Sequence, residues 1–81
     1  MLFNKFNDSY NIIGTKLKQC REKANVSQDL LCNKLALLGI TLYQADIYKI
    51  ENNQRTVRDF ELWGFCQVLN IKAEDLFDVN P

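Results

Sequence analysis

Gln44, Ala45, Tyr48 and Lys49 fall on one side of the segment Gln44-Ala45-Asp46-Ile47-Tyr48-Lys49-Ile50-Glu51-Asn52 at helical spacing, while Ile47 and Ile50 fall on the other. An amide both donates and accepts, so Gln44 can pair with an adenine edge. Lys49 can donate to guanine, and Ala45 can meet a thymine methyl. An outward row of this kind on a short helix is what reading of a DNA major groove requires. Other chemistries find no footing. The chain has no histidine, which excludes the common zinc sites and histidine-based catalytic triads. Cys20, Cys32 and Cys66 include no Cys-x-x-Cys pair, and their odd number points to reduced thiols of a cytoplasmic protein, packed on apolar helix faces. No catalytic constellation is visible, so neither enzymatic activity nor a metal or cofactor is expected.

The elements that must position this row are helical. Ile13, Leu17, Cys20 and Ala24 recur at i, i+4, i+7 and i+11, which predicts a helix over about 12–24 that ends near Asn25. Ser27 is an N-cap for a second helix, with Asp29 in its first turn. Leu31, Cys32, Leu35 and Leu38 carry the apolar stripe to its end, where Gly39 suits the C′ position. Thr41 and Gln44 have capping-box spacing, which predicts a third helix over about 42–52. Asn52 to Thr56 is a polar break. Leu62, Phe65, Cys66 and Leu69 predict a fourth helix over 59–69 closed by Asn70, and 72–77 predicts a short fifth. Residues 1–11 read as an N-terminal arm and 78–81 as a C-terminal tail around one domain, 12–77. Phe60, Trp63 and Phe77 are expected in the core or at a dimer contact.

Eighty-one residues with 47% apolar content allow one small core, for which a partner subunit would be an advantage. No apolar run is long enough to span a membrane, and the first residues do not read as a secretion signal. Net charge is zero, but it is unevenly spread. Residues 12–58 carry eight cations against four anions; residues 59–81 carry Lys72 against five acids. The chain is therefore basic around the candidate reading helix and acidic beyond it. Gln28 stands at the start of the second helix, where a side chain and backbone N–H can clamp a phosphate. Tyr48, Asn52, Asn53 and Arg55 lie on or just after the third helix, placed to meet the sugar–phosphate backbone.

The order of these pieces resembles the phage-repressor-like (Cro/C1, or XRE) family of helix-turn-helix DNA-binding domains. The resemblance covers about 12–77. It rests on Ile13-Gly14-Thr15-Lys16-Leu17-Lys18-Gln19-Cys20-Arg21, on Ser27-Gln28 seven residues after that arginine, on Ile47-Tyr48-Lys49-Ile50-Glu51-Asn52, and on Leu69-Asn70-Ile71 with Glu74-Asp75-Leu76-Phe77. It implies an all-α, compact five-helix bundle of the lambda-repressor-like type. It also implies an ion pair between Arg21 and Glu51 and a homodimer on a palindromic operator in double-stranded DNA. The interval from Gln28 to Glu51 is about five residues longer than in many relatives, Asn53 replaces a frequent glycine, and Asp46 stands where Ser or Thr is usual. The neutral charge, Asp46 and the acidic last third keep a second expectation open: an antitoxin-like or regulatory protein-interaction module with weak DNA binding.

Overall fold

A computed structural model describes residues 5–77 as a compact, mostly helical domain with no strand among the described residues. Four α-helices follow one another: α1 Gly14–Lys23, α2 Gln28–Ala36, α3 Gln44–Glu51 and α4 Asp59–Leu69. The expected fifth helix is a single 3-10 turn, Ala73–Leu76. α3 packs on α1 and α2, α4 packs on α1 and α2, and the 3-10 turn closes the far side against α1 and α4. Leu17, Leu31, Leu35, Ile47, Ile50, Phe65 and Leu76 are fully buried at the centre. Val79 and the tail 78–81, with residues 1–4 of the arm, lie outside the described residues.

These helices are short, so their ends carry much of the burden. Every α-helix leaves four N–H and four C=O groups without helical partners. Each of the four C-termini solves this in one way. Asn25, Gly39, Asn53 and Asn70 adopt positive φ, at 59°, 82°, 61° and 54°. The next residue's N–H then bonds back across the turn, as in Val26 to Arg21 O and Ile40 to Leu35 O, both 3.0 Å, Gln54 to Lys49 O at 2.7 Å and Ile71 to Cys66 O at 3.0 Å. Asparagine and glycine enter this region at least cost. At the N-termini, Ser27 Oγ accepts from Leu30 N–H. Asp46, Glu61 and Asp75 each reach back three residues to the N–H of Tyr43, Arg58 and Lys72 at 2.9–3.0 Å.

Two expectations about α2 and α3 are corrected by this wiring. Thr41 does not cap α3. The chain stays extended through Tyr43, and Asp46 supplies the capping acceptor, so α3 starts at Gln44 rather than 42. α2 stops at Ala36, two residues short of the Leu38 end that the apolar stripe predicts, and residues 37–43 form the connection to α3. Leu38 is then partly exposed and Leu37 is 86% exposed, while Ile40 and Leu42 anchor the connection in the core. Of the two places expected for Phe60, Trp63 and Phe77, the core takes only Phe77: Phe60 and Trp63 are each about half exposed on α4. Cys66 is buried and Cys20 and Cys32 are half-buried, all free thiols.

Asn11, just before α1, had no assigned role in the arm. Its Oδ1 accepts from Ile13 and Gly14 N–H at 3.0 and 2.8 Å, capping α1. Its Nδ2 donates to Ile50 O at 3.0 Å and Arg55 O at 2.8 Å, tying α1's start to α3's end. Upstream, Phe6 and Ser9 exchange backbone hydrogen bonds around Asn7 and Asp8, both at positive φ, as in a type I′ turn.

Gly14 makes this approach possible. A Cβ there would strike the Ile50 carbonyl, which is backbone and cannot easily move, and the buried Asn53 Oδ1. At Gly64 a Cβ would meet only the methyl ends of Ile40 and Leu35. Alanine improves helix propensity by about 1 kcal/mol at either position. Gly14→Ala is nevertheless expected to destabilise by about 1–3 kcal/mol through overpacking. Gly64→Ala is expected to lie close to neutral. Urea unfolding of both variants checks the order; equal stabilities would contradict the close contact at Gly14.

Candidate nucleic-acid interface

The outward side of α3 is set by what its inward side does. Ile47 and Ile50 are fully buried, and Glu51 is buried beside them. That turns Gln44, Ala45, Tyr48 and Lys49 to solvent. Together with Gln28 at the start of α2 they line one shallow depression of about 370 Å³. Five of the residues selected from sequence are therefore contiguous. Lys49 makes no ion pair among the described residues.

Behind this surface runs a chain of polar contacts. Arg21 Nε donates to Glu51 Oε2 at 2.6 Å and Arg21 Nη2 to Glu51 Oε1 at 3.1 Å, a two-pronged pair between α1 and α3. The third guanidinium nitrogen donates to Val26 O, so the arginine also holds the α1–α2 turn. Its hydrogen bond to Glu51, helped by the charges of Glu51 and Glu22, keeps the guanidinium above its ordinary pKa despite burial. Gln28 Nε2 donates to the same Glu51 carboxylate at 3.1 Å. Gln28 Oε1 then accepts from Gln44 Nε2 at 3.3 Å. A buried ion pair thus leads, through one amide, to the first residue of α3's outer face.

The other residues named for phosphate contact divide. Asn52 is exposed at the end of α3, with Nδ2 bonded to Tyr48 O at 2.8 Å and Oδ1 free to accept. Asn53 does not offer its carbonyl outward: Oδ1 is buried with no hydrogen-bond donor among the described residues, beside the Cα of Gly14. Arg55 is already engaged. Nη1 and Nη2 donate to the two oxygens of Glu61 at 2.9 and 3.1 Å, Nη1 also donates to Thr56 O, and Nε lies 3.6 Å from Asp46 Oδ1.

Glu61 was missed in the sequence. Its only signal was an acid three residues after Arg58 at a helix start, which marks a cap and not a pair. It is 1% exposed. Burial alone would push its carboxyl up, but the Arg55 hydrogen bond, the Arg58 N–H and the two arginine charges outweigh that, and it sits below the ordinary carboxylate value. Burial pushes the Cys32 and Cys66 thiols up, away from thiolate reactivity. No protein-family model matches the chain, and no curated protein matches it in sequence.

Two tests follow from the buried pairs. Arg21→Ala is expected to cost about 3–5 kcal/mol, because Glu51 is left charged and buried. A double replacement, Arg21→Met with Glu51→Leu, is expected to recover most of that loss; an unchanged melting temperature in Arg21→Ala would remove the role assigned to the pair. Glu61 gives a pH dependence. Its folded pKa lies below its unfolded one, so its contribution is complete above the unfolded value and is lost as pH falls toward the folded one. Wild-type melting temperature should therefore fall more steeply than that of Glu61→Gln in acid, below about pH 4. Parallel slopes would contradict the depressed pKa.

Proposed function

We propose that the chain is a sequence-specific duplex-DNA-binding transcriptional regulator, a repressor or autoregulator of the phage-repressor-like type. It works in the cytoplasm as a homodimer on a palindromic operator. In this reading α2, the long connection and α3 are a helix-turn-helix, α3 enters the major groove, and the 3-10 turn stands in for a fifth helix. The observation that supports it most is the contiguous outer surface of Gln28, Gln44, Ala45, Tyr48 and Lys49, backed by the Arg21–Glu51 pair. Amide, methyl and cation then meet base edges through Gln44, Ala45 and Lys49. Gln28, Tyr48 and Asn52 flank them and meet phosphates. No catalysis, metal or cofactor enters this reading.

The dimer belongs in the C-terminal third, where Phe60 and Trp63 are half exposed and Phe77 is half-buried. Exposed aromatic surface beside a small core favours association. Recognition helices about 34 Å apart would then face successive major grooves. The rival reading, an antitoxin-like or regulatory module whose main partner is a protein, draws on the exposed Leu37 and on the zero net charge.

Selection of duplexes by the purified protein tests both. A palindromic consensus is expected, with Gln44→Ala and Lys49→Ala each costing about 1–3 kcal/mol on it and relaxing preference at particular base pairs. Gln28→Ala and Asn52→Ala should weaken operator and scrambled DNA alike. Sedimentation should show a dimer that Trp63→Arg dissociates. Absence of any selected sequence, with no effect of Gln44→Ala or Lys49→Ala, would transfer the function to the protein-partner reading.

A further inference from the structure

Arg55 lies where a docked duplex would pass under the proposed function, on which this inference rests, yet its guanidinium is turned inward. Of its five N–H donors, three are used by Glu61 and the Thr56 carbonyl, and Nε faces Asp46. Two carboxylates, Asp46 and Glu61, thus face this one guanidinium. Neither acid is free to swing aside. Glu61 is buried and also accepts from Arg58 N–H at 3.0 Å. Asp46 is held by Tyr43 N–H at 2.9 Å in the first turn of α3. Releasing Arg55 to a phosphate would strand the Glu61 charge in the interior.

We infer that Asp46 and Glu61 withdraw Arg55 from the phosphate backbone and make it a positioning residue, which ties the first turn of α3 to the first turn of α4. Asp46 is the link to α3, Glu61 the link to α4, and the loop between the helices carries the guanidinium that joins them. The consequence is a change in the kind of binding. Contacts to phosphate give affinity without sequence, and each adds about 0.9 to the salt slope. With Arg55 committed inward, that sequence-independent component shrinks, while the base-facing row on α3 is held in place. The two acids thus raise discrimination by lowering affinity for the wrong DNA.

The test uses the full chain, its selected operator and a scrambled duplex across a potassium chloride series. Lys49→Gln is the control for a lost charge contact and is expected to lower the salt slope by up to about 0.9. Arg55→Gln should leave that slope unchanged while lowering the melting temperature. Asp46→Asn keeps an amide oxygen to cap Tyr43 but removes a charge; Glu61→Gln frees the guanidinium. Each should raise affinity for scrambled DNA several-fold and steepen its salt dependence. If Glu61→Gln fails to fold, Asp46→Asn carries the measurement. The Arg55 Nε–H resonance should also stay in place when the wild-type protein is saturated with operator. A salt slope lowered equally by Arg55→Gln and Lys49→Gln would overturn the inference. So would an Asp46→Asn variant indistinguishable from wild type on scrambled DNA, or an Arg55 resonance that moves on binding. Wild-type protein that binds no duplex at all would instead bring down the proposed function, and this inference with it.

Discussion

The carboxylate of Glu51 is the point at which three helices are fastened together. It belongs to α3, receives two donors from Arg21 on α1 and one from Gln28 on α2, and is buried. α3 has eight residues, too few to be stable as an isolated helix in water. Its existence and its orientation must therefore come from tertiary contacts. Ile47 and Ile50 supply burial, but apolar contacts tolerate small rotations. A two-pronged ion pair does not, since a tilted carboxylate loses one of its donors. The net stability from such a pair is modest, because desolvation offsets much of the attraction. What the pair contributes is a single permitted orientation for α3, and through Gln28 and Gln44 that orientation reaches the outer surface.

A second constraint acts at the same end of α3, beside Glu51. Asn11 holds the Ile50 carbonyl, Tyr10 N–H bonds Asn53 O at 3.0 Å, and Gly14 lets α1 come close enough for both. The arm is thus part of the clamp on α3. At its beginning, Asp46 caps the first turn and Arg55 couples it to Glu61. The short helix is braced at its start and at its end by polar contacts to several different parts of the chain. On the proposed reading this rigidity matters, because side chains that recognise hydrogen-bond patterns must be held in place by their surroundings.

Much of this was legible in the sequence where the signal was local. Ser27 as a cap, Asn25, Gly39 and Asn70 as helix ends, and the boundaries of α4 follow from residue type and adjacent pattern, and the structure places them there. The inward Ile47 and Ile50 follow from helical period. Where two local signals competed, the wrong one could win: Thr41 and Gln44 spell a capping box, but Leu42 is drawn into the core, the chain remains extended, and Asp46 takes the cap. Asn11 and the Arg55–Glu61 pair were illegible for another reason. Their partners are set by how segments meet in space, and a lone asparagine in an arm or an arginine six residues before a glutamate has no periodic signature. Leu38 fits the helical stripe of α2, yet the helix ends at Ala36 and leaves it partly exposed; Phe60 and Trp63 lie off the α4 stripe, on its exposed side.

The pairing of charges also alters what the zero net charge means. Two of the ten acids, Glu51 and Glu61, are buried against Arg21 and Arg55. Within residues 12–58 the arginines so consumed leave Lys16, Lys18, Lys23, Lys34, Lys49 and Arg58 facing Glu22, Asp29 and Asp46. The surplus on that half survives, but it is carried almost wholly by lysines, whose compact charge binds phosphate without the geometric demand of a guanidinium. On the proposed reading, electrostatics then serve to bring a duplex to this side of the molecule, and α3 alone must decide which duplex stays. On that reading, a neutral protein with two of its three arginines turned inward suits that division: attraction is weak enough to release wrong sequences, and selection rests on the small row of Gln44, Ala45 and Lys49.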